Sequence, residues 1–213
     1  MVSEAPSAQV WAGLNPAWQE CFELAWQSFR SGGIAVGAVL TDSGGQVTGR
    51  GQNRRFGSDA GLRELSGLLG HAEINALRGL PPTKDRGGGH LLYTTLQPCP
   101  MCLGAIVVAR VGSVRFAARD PTWAGLERLP ELNPEVRDRW PDFDGPLVGP
   151  LGTWAAILPA LGTSGSLLRA LRARDPALAE LAETTTSTLR AGALPLTAAA
   201  ALDAAWEQLA AVR

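Results

Sequence analysis

An α/β fold, a sheet sandwiched between helices, is the class this sequence predicts, and three observations predict it. Between Pro16 and Ala118, short apolar runs that read as strands alternate with segments of helical periodicity. A Ser-Gly-Gly turn at 43–45 joins two of these runs as a hairpin. Beyond Gly152 the chain becomes rich in alanine and leucine, which adds a helical extension. The chain divides on this reading into a sheet domain, 1–151, and an extension, 152–213, that packs on it or on a second subunit.

The elements follow in order. From Pro16 to Ser31, Trp18, Cys21, Phe22, Ala25, Trp26 and Phe29 recur at spacings of three and four, which is one face of a helix, and Gly32-Gly33 end it. The hairpin comes next, as an apolar run to Leu40, the turn, and an alternating run from Gln46. Residues 54–70 are polar and glycine-rich and read as a loop leading to a helix over 71–78. After a loop at 81–89, His90–Leu96 read as a buried strand, Pro100–Arg110 as a buried helix and Ser113–Ala118 as a further strand. Residues 119–151 are rich in proline, charge and tryptophan, so they read as irregular and as a pocket wall. In the extension Leu202, Trp206 and Leu209 share one helical face.

Composition narrows the function. Of 213 residues 46% are apolar and 18% charged, enough for one well-buried core. A formal net charge of −1 argues against a chain whose main work is to neutralise a long run of phosphates. The N-terminal stretch has no basic segment followed by an apolar run, and no apolar stretch approaches a membrane span, so a cytoplasmic protein is expected. Three cysteines, two of them spaced as Cys99-Pro-Met-Cys102, point to metal or redox chemistry rather than a secreted disulfide framework.

The chemistry concentrates in "GHAEINALR" (70–78) and "LQPCPMC" (96–102). Catalytic zinc takes three protein ligands and leaves a fourth position open, and His71, Cys99 and Cys102 can supply such a set. Two thiolates on the first turn of a helix can both reach one tetrahedral ion, and a helix N-terminus favours the thiolate form. Glu73 can point into the same cavity without binding metal, take a proton from water and hand it to a substrate atom. Two other readings stand beside this one. A Cys-x-x-Cys alone also fits a redox pair or half of a structural zinc site, and a lone His-x-Glu fits a surface helix. A structural site needs a fourth ligand, for which the chain offers only Cys21, read as a small buried apolar residue, and His90, read as a strand-edge or loop residue. A redox pair gives no reason for His-x-Glu upstream.

His-x-Glu followed by Pro-Cys-x-x-Cys is the zinc deaminase signature, and at these residues the chain resembles the cytidine deaminase-like superfamily. "VGAVL", "GRGQN", "GHAEINALR", "LYTTLQPCPMCLGAI" and "VRFAARD" are similar to the branch that contains bacterial tRNA adenosine deaminases and guanine deaminases, over roughly Trp18 to Asp120. The resemblance implies a mixed sheet with helices on both faces, and zinc held at the N-terminal ends of two neighbouring helices. It implies hydrolytic attack on the ring carbon that bears an exocyclic amine, with Glu73 protonating the adjacent ring nitrogen and then the leaving ammonia. It further implies that the Asn53 amide holds the base or sugar, that the backbone N–H groups of Ala72 and Cys99 flank the attacked centre with Pro98 beside them, and that the protein is a homodimer. Asn53 also reads simply as a turn residue closing a strand. Relatives commonly carry glutamate where Gln97 stands, and residues 122–144 and the tail after Gly152 do not resemble the tRNA enzymes.

The leading expectation is a hydrolytic deaminase of a nucleobase, nucleoside or related small aminated heterocycle, with Zn2+ as cofactor. Trp123 and Trp140, at the ends of a proline-rich segment, could close over such a flat ring or could merely pin the tail to the core. The alternative is a tRNA adenosine deaminase, which needs exposed cations around the site from among Arg54, Arg55, Arg119, Arg128, Arg137 and Arg139. A zinc-bearing interaction module without catalysis is the third reading.

Overall fold

The computed structural model describes residues 6–56, 66–81, 89–162 and 165–212. Parts of the two loops expected at 54–70 and 81–89, namely 57–65 and 82–88, lie outside the described residues. A short helix α1 (Pro6–Ala12) precedes α2 (Pro16–Arg30), whose first turn is capped by Asn15. The hairpin is β1 (Gly37–Thr41) and β2 (Val47–Gln52), paired antiparallel with a bulge at Leu40/Thr41. Helix α3 (Ala72–Leu77), strand β3 (Leu91–Thr94), helix α4 (Pro100–Ala109) and strand β4 (Ser113–Phe116) follow in the order the periodicity predicts.

The sheet has the order β2-β1-β3-β4-β5, with β1 antiparallel to β2 and β3, and with β3, β4 and β5 parallel. It is therefore mixed. Alternation along the strands sorts the core into two layers. Val39 and Tyr93 join the cluster built by α2 and the C-terminal helices, whereas Ala38, Leu40, Leu92 and Val114 join the one built by α3 and α4. Helices cover both faces, as expected.

Residues 119–151 depart from the sequence reading. They hold two 3-10 turns (Pro121–Trp123 and Leu126–Arg128), short helices α5 (Leu129–Leu132) and α6 (Pro134–Arg137), and a fifth strand β5 (Asp142–Asp144). β5 escapes a pattern search because its three residues place Phe143 between two exposed aspartates at the sheet edge. Helix α7 (Gly149–Ile157) already begins before residue 152, and α8 (Gly165–Arg174), α9 (Pro176–Arg190) and α10 (Ala198–Ala210) complete the chain. Trp26 and Trp154 meet at 6.1 Å within the buried cluster that joins α2 to this helical layer. Leu202 and Leu209 are buried there and Trp206 packs against them, so the expected face of α10 is the packed one.

Candidate metal centre

Glycines in β2 decide where α3 lies. A Cβ on Gly51 would stand 2.0 Å from Ala72 O and one on Gly49 2.0 Å from Ala76 O, so the helix rests directly on the strand backbone. The amide of Arg54 donates to Gly70 O at 2.7 Å, which fixes the residue before His71. His71 is the N-cap residue of α3 and Glu73 sits in its first turn. Cys99 is the N-cap residue of α4, Pro100 opens the helix, and Cys102 lies one turn in. α3 and α4 pack side by side on one sheet face, so both helix starts meet.

His71 Nδ1 lies 3.5 Å from Cys99 Sγ and 3.5 Å from Cys102 Sγ, and the two sulfurs are 3.7 Å apart. A tetrahedral ion with Zn–S near 2.3 Å and Zn–N near 2.0 Å sets its ligand atoms about 3.8 Å (S···S) and about 3.5 Å (S···N) apart. The three donors therefore already occupy three corners of such a tetrahedron, and they form a metal-ligand cluster among the described residues. Glu73 is buried and its Oε2 accepts from Cys102 Sγ at 3.4 Å.

The electrostatics of the cluster follow from burial and from these contacts. Burial raises the Glu73 carboxyl above its ordinary range, with the Cys99 charge acting in the same direction. The hydrogen bond with Cys102, aided by the one with His71, lowers the Cys99 thiol to about 4, while Cys102 is shifted upward by the same contact and by burial. The contact with Cys99 also raises the His71 imidazole.

The other expected residues fall around this cluster in different ways. Asn53 is buried at the end of β2, and its Oδ1 accepts from Arg55 N at 3.0 Å, so the side chain also shapes the turn it closes. Ala72 is buried at the first position of α3, where backbone N–H groups lack intrahelical partners. Pro98 is buried beside Cys99 and lines a cavity of about 240 Å³ together with Leu103, Phe116, Trp140 and Phe143. Trp123 stands on the 3-10 turn that Asp120 caps, 39% exposed. Cys21 donates to Gly37 O at 3.0 Å and belongs to the cluster on the α2 face, in keeping with its reading as a buried apolar residue. His90 immediately precedes β3.

Two features were missed. Trp140 packs on Phe143 at 5.4 Å and Phe143 on Phe116 at 6.5 Å, an aromatic wall that depends on the unrecognised strand β5. Arg128 pairs with Glu131 at 3.1 Å and Arg139 with Glu135 at 2.6 Å, spacings of three and four that were present in the sequence.

A mixed α/β sheet with a three-donor His/Cys/Cys cluster at two helix starts makes a candidate zinc centre, and the matching family model is of a zinc-binding region. Residues 15–118 match the cytidine and deoxycytidylate deaminase zinc-binding region. A tRNA-specific adenosine deaminase of Agrobacterium fabrum is 37% identical over 111 residues, 49% of this chain and 68% of that protein. A tRNA(Ile)-lysidine synthase of Deinococcus radiodurans is 35% identical over 133 residues, 60% of this chain and 20% of the synthase, so the chain spans about one fifth of that relative. The guanine deaminase structure from Bacillus subtilis is 32% identical, covering 53% of this chain and 71% of that one, with a TM-score of 0.40. The chain belongs to the cytidine and deoxycytidylate deaminase zinc-binding family.

Proposed function

We propose that this chain catalyses zinc-dependent hydrolytic deamination of a nucleobase, a nucleoside or a related small aminated heterocycle. The observation that carries the proposal is the buried Glu73 carboxylate 3.4 Å from Cys102 Sγ, beside a donor set of three that leaves one tetrahedral position open. Zinc held by His71, Cys99 and Cys102 supplies a water activated for attack at neutral pH. Glu73 does the proton work. Its raised pKa lets it hold a proton where an exposed carboxylate would not, and it delivers protons first to the ring nitrogen and then to the departing amine. Water adds across the ring C=N bond, the exocyclic C–N bond breaks, and ammonia leaves a carbonyl behind. The Ala72 and Cys99 backbone N–H groups flank the attacked carbon, and Asn53, Pro98 and Trp123 hold the ring.

Ion pairing in the insert supports a small substrate. Arg128 and Arg139 are matched by Glu131 and Glu135, so two of the six arginines that could face phosphates are answered internally. A second reading, deamination of adenosine in tRNA, is favoured by the name of the Agrobacterium relative. α4 is apolar all round yet leaves Gly104 and Val108 exposed, which supports a homodimer closed over that face. No helix among the described residues is long and apolar enough to cross a membrane, and all three cysteines are free, in keeping with a cytoplasmic site of action. The extension 152–213 then serves the deaminase region 1–151 as its packing layer on the α2 face.

Ammonia release from a panel of bases and nucleosides, run beside inosine formation in a tRNA anticodon stem-loop, tests the proposal. Turnover of a free heterocycle supports the first reading. Turnover of the stem-loop alone, with binding that weakens steeply with salt, transfers the activity to the second. Zinc-loaded protein inert on both would refute it.

A further inference from the structure

We infer that Gln97 is a positioning residue that locks the turn at 120–123 beside the metal-binding segment, an inference that rests on the deaminase reading. β3 and β4 are parallel neighbours, so the segments that leave them, 95–99 and 117–123, emerge from the same end of the sheet. Gln97 ties them together twice. Its backbone N–H donates to Ala118 O at 2.8 Å, and its side-chain Oε1 accepts the Asp120 N–H at 3.3 Å. Two residues beyond Gln97 stands Cys99. On the other segment, Asp120 Oδ1 accepts from Thr122 N at 2.9 Å and Asp120 O from Trp123 N at 3.1 Å, so whatever holds Asp120 also holds Trp123.

The chemistry of the position needs one acceptor oxygen at that reach. Glutamine supplies it without charge, whereas an apolar side chain of the same length leaves the Asp120 N–H without this partner, and the two segments are then joined through the backbone bonds at Ala117 and Ala118, which lie before the turn. Gln97 stands outside the His71, Cys99 and Cys102 donor set and lines the cavity of about 240 Å³ beside Pro98, so its effect falls on that cavity wall and on the turn that carries Trp123.

Gln97→Met and Gln97→Glu separate this role from a merely structural one. In zinc-loaded Gln97→Met, amide exchange at Asp120, Thr122 and Trp123 is expected to accelerate together by about tenfold, the range that losing one hydrogen bond gives. KM for the best substrate is expected to rise by about fivefold to tenfold on the same ground, with kcat, zinc content and melting temperature nearly unchanged. Gln97→Glu, which keeps an acceptor oxygen, should restore both readouts to near wild type. Faster exchange at Asp120 alone, or an unchanged KM despite a loosened turn, would overturn the inference. If the wild-type protein turns over nothing in the panel, the deaminase reading fails separately. The exchange data then decide the positioning role alone: concerted loosening of all three amides upholds it and unchanged exchange removes it.

Discussion

Helices α2, α9 and α10 begin with side-chain caps, and helices α3 and α4 do not. Asn15 accepts from Trp18 N at 2.9 Å, Asp175 from Leu178 N at 3.0 Å and Thr197 from Ala200 N at 3.2 Å. The N-cap positions of α3 and α4 hold His71 and Cys99, neither of which makes a side-chain cap bond. A cap of the first kind stabilises a helix by roughly 0.5–2 kcal/mol. The two site helices forgo that contribution and turn the same position into a donor atom, so that three donors stand within 3.7 Å of one another. Helices α2, α9 and α10 use the N-cap side chain on their own backbone, which α7, with the apolar Val148 at its N-cap, does not, and α3 and α4 place theirs against each other.

The sharpest way to break this contrast is to remove a donor. His71→Ala, Cys99→Ala and Cys102→Ala are each expected to lose the metal, because two remaining ligands cannot hold a four-coordinate ion. Metal analysis of the purified variants checks this, and full zinc in any of them would mean that the residue is no ligand.

The next effect separates the two cysteines in metal-free protein. Cys99, lowered to about 4, is ionised at pH 6, whereas Cys102, shifted upward, is protonated there. Iodoacetamide at pH 6 should therefore alkylate Cys99 faster than Cys102 by on the order of a hundredfold. The rate of Cys99 labelling should fall as the pH drops through about 4, where Cys99 takes up its proton, while its preference over Cys102 persists. Peptide mapping reads it, and equal labelling would show that the helix start and its neighbours do not set Cys99 apart.

The smallest effects concern the caps themselves. Asn15→Ala and Thr197→Ala should each lower unfolding free energy by about 1 kcal/mol with zinc retained. His71→Asn places a capping residue where the site has none, so its metal-free form should be more stable than metal-free wild type by roughly 0.5–1 kcal/mol. Denaturant titration of the two metal-free proteins measures the difference, and no gain would indicate that α3 does not lack a cap.

Sequence pattern carried the part of this contrast that depends on residue type and local spacing. α2 is legible because Trp18, Phe22, Ala25, Trp26 and Phe29 repeat at helical intervals and are all buried. His71, Cys99 and Cys102 are legible because few other chemistries need those three side chains in that arrangement, and the chain places them together. What did not show was set by partners distant in sequence. β5 exists because Asp142–Asp144 find an open edge of β4, not because DFD favours a strand. The bond between Gln97 and Asp120 requires the parallel pairing of β3 with β4 to bring the two segments together. The pairing of Arg128 with Glu131 and of Arg139 with Glu135 follows helical spacings of three and four within the insert, so it becomes visible only once α5 and α6 are known to be helical.

Glu73 separates metal binding from chemistry and gives the most direct measurement. Zinc content and ammonia release should be determined on the same preparations of wild type and Glu73→Gln. The expected result is about one zinc per chain in both proteins, with turnover in the variant lower by on the order of 10² to 10⁴ or more, because one carboxylate serves several proton transfers. Undiminished turnover by Glu73→Gln, or loss of zinc along with activity, would contradict the account.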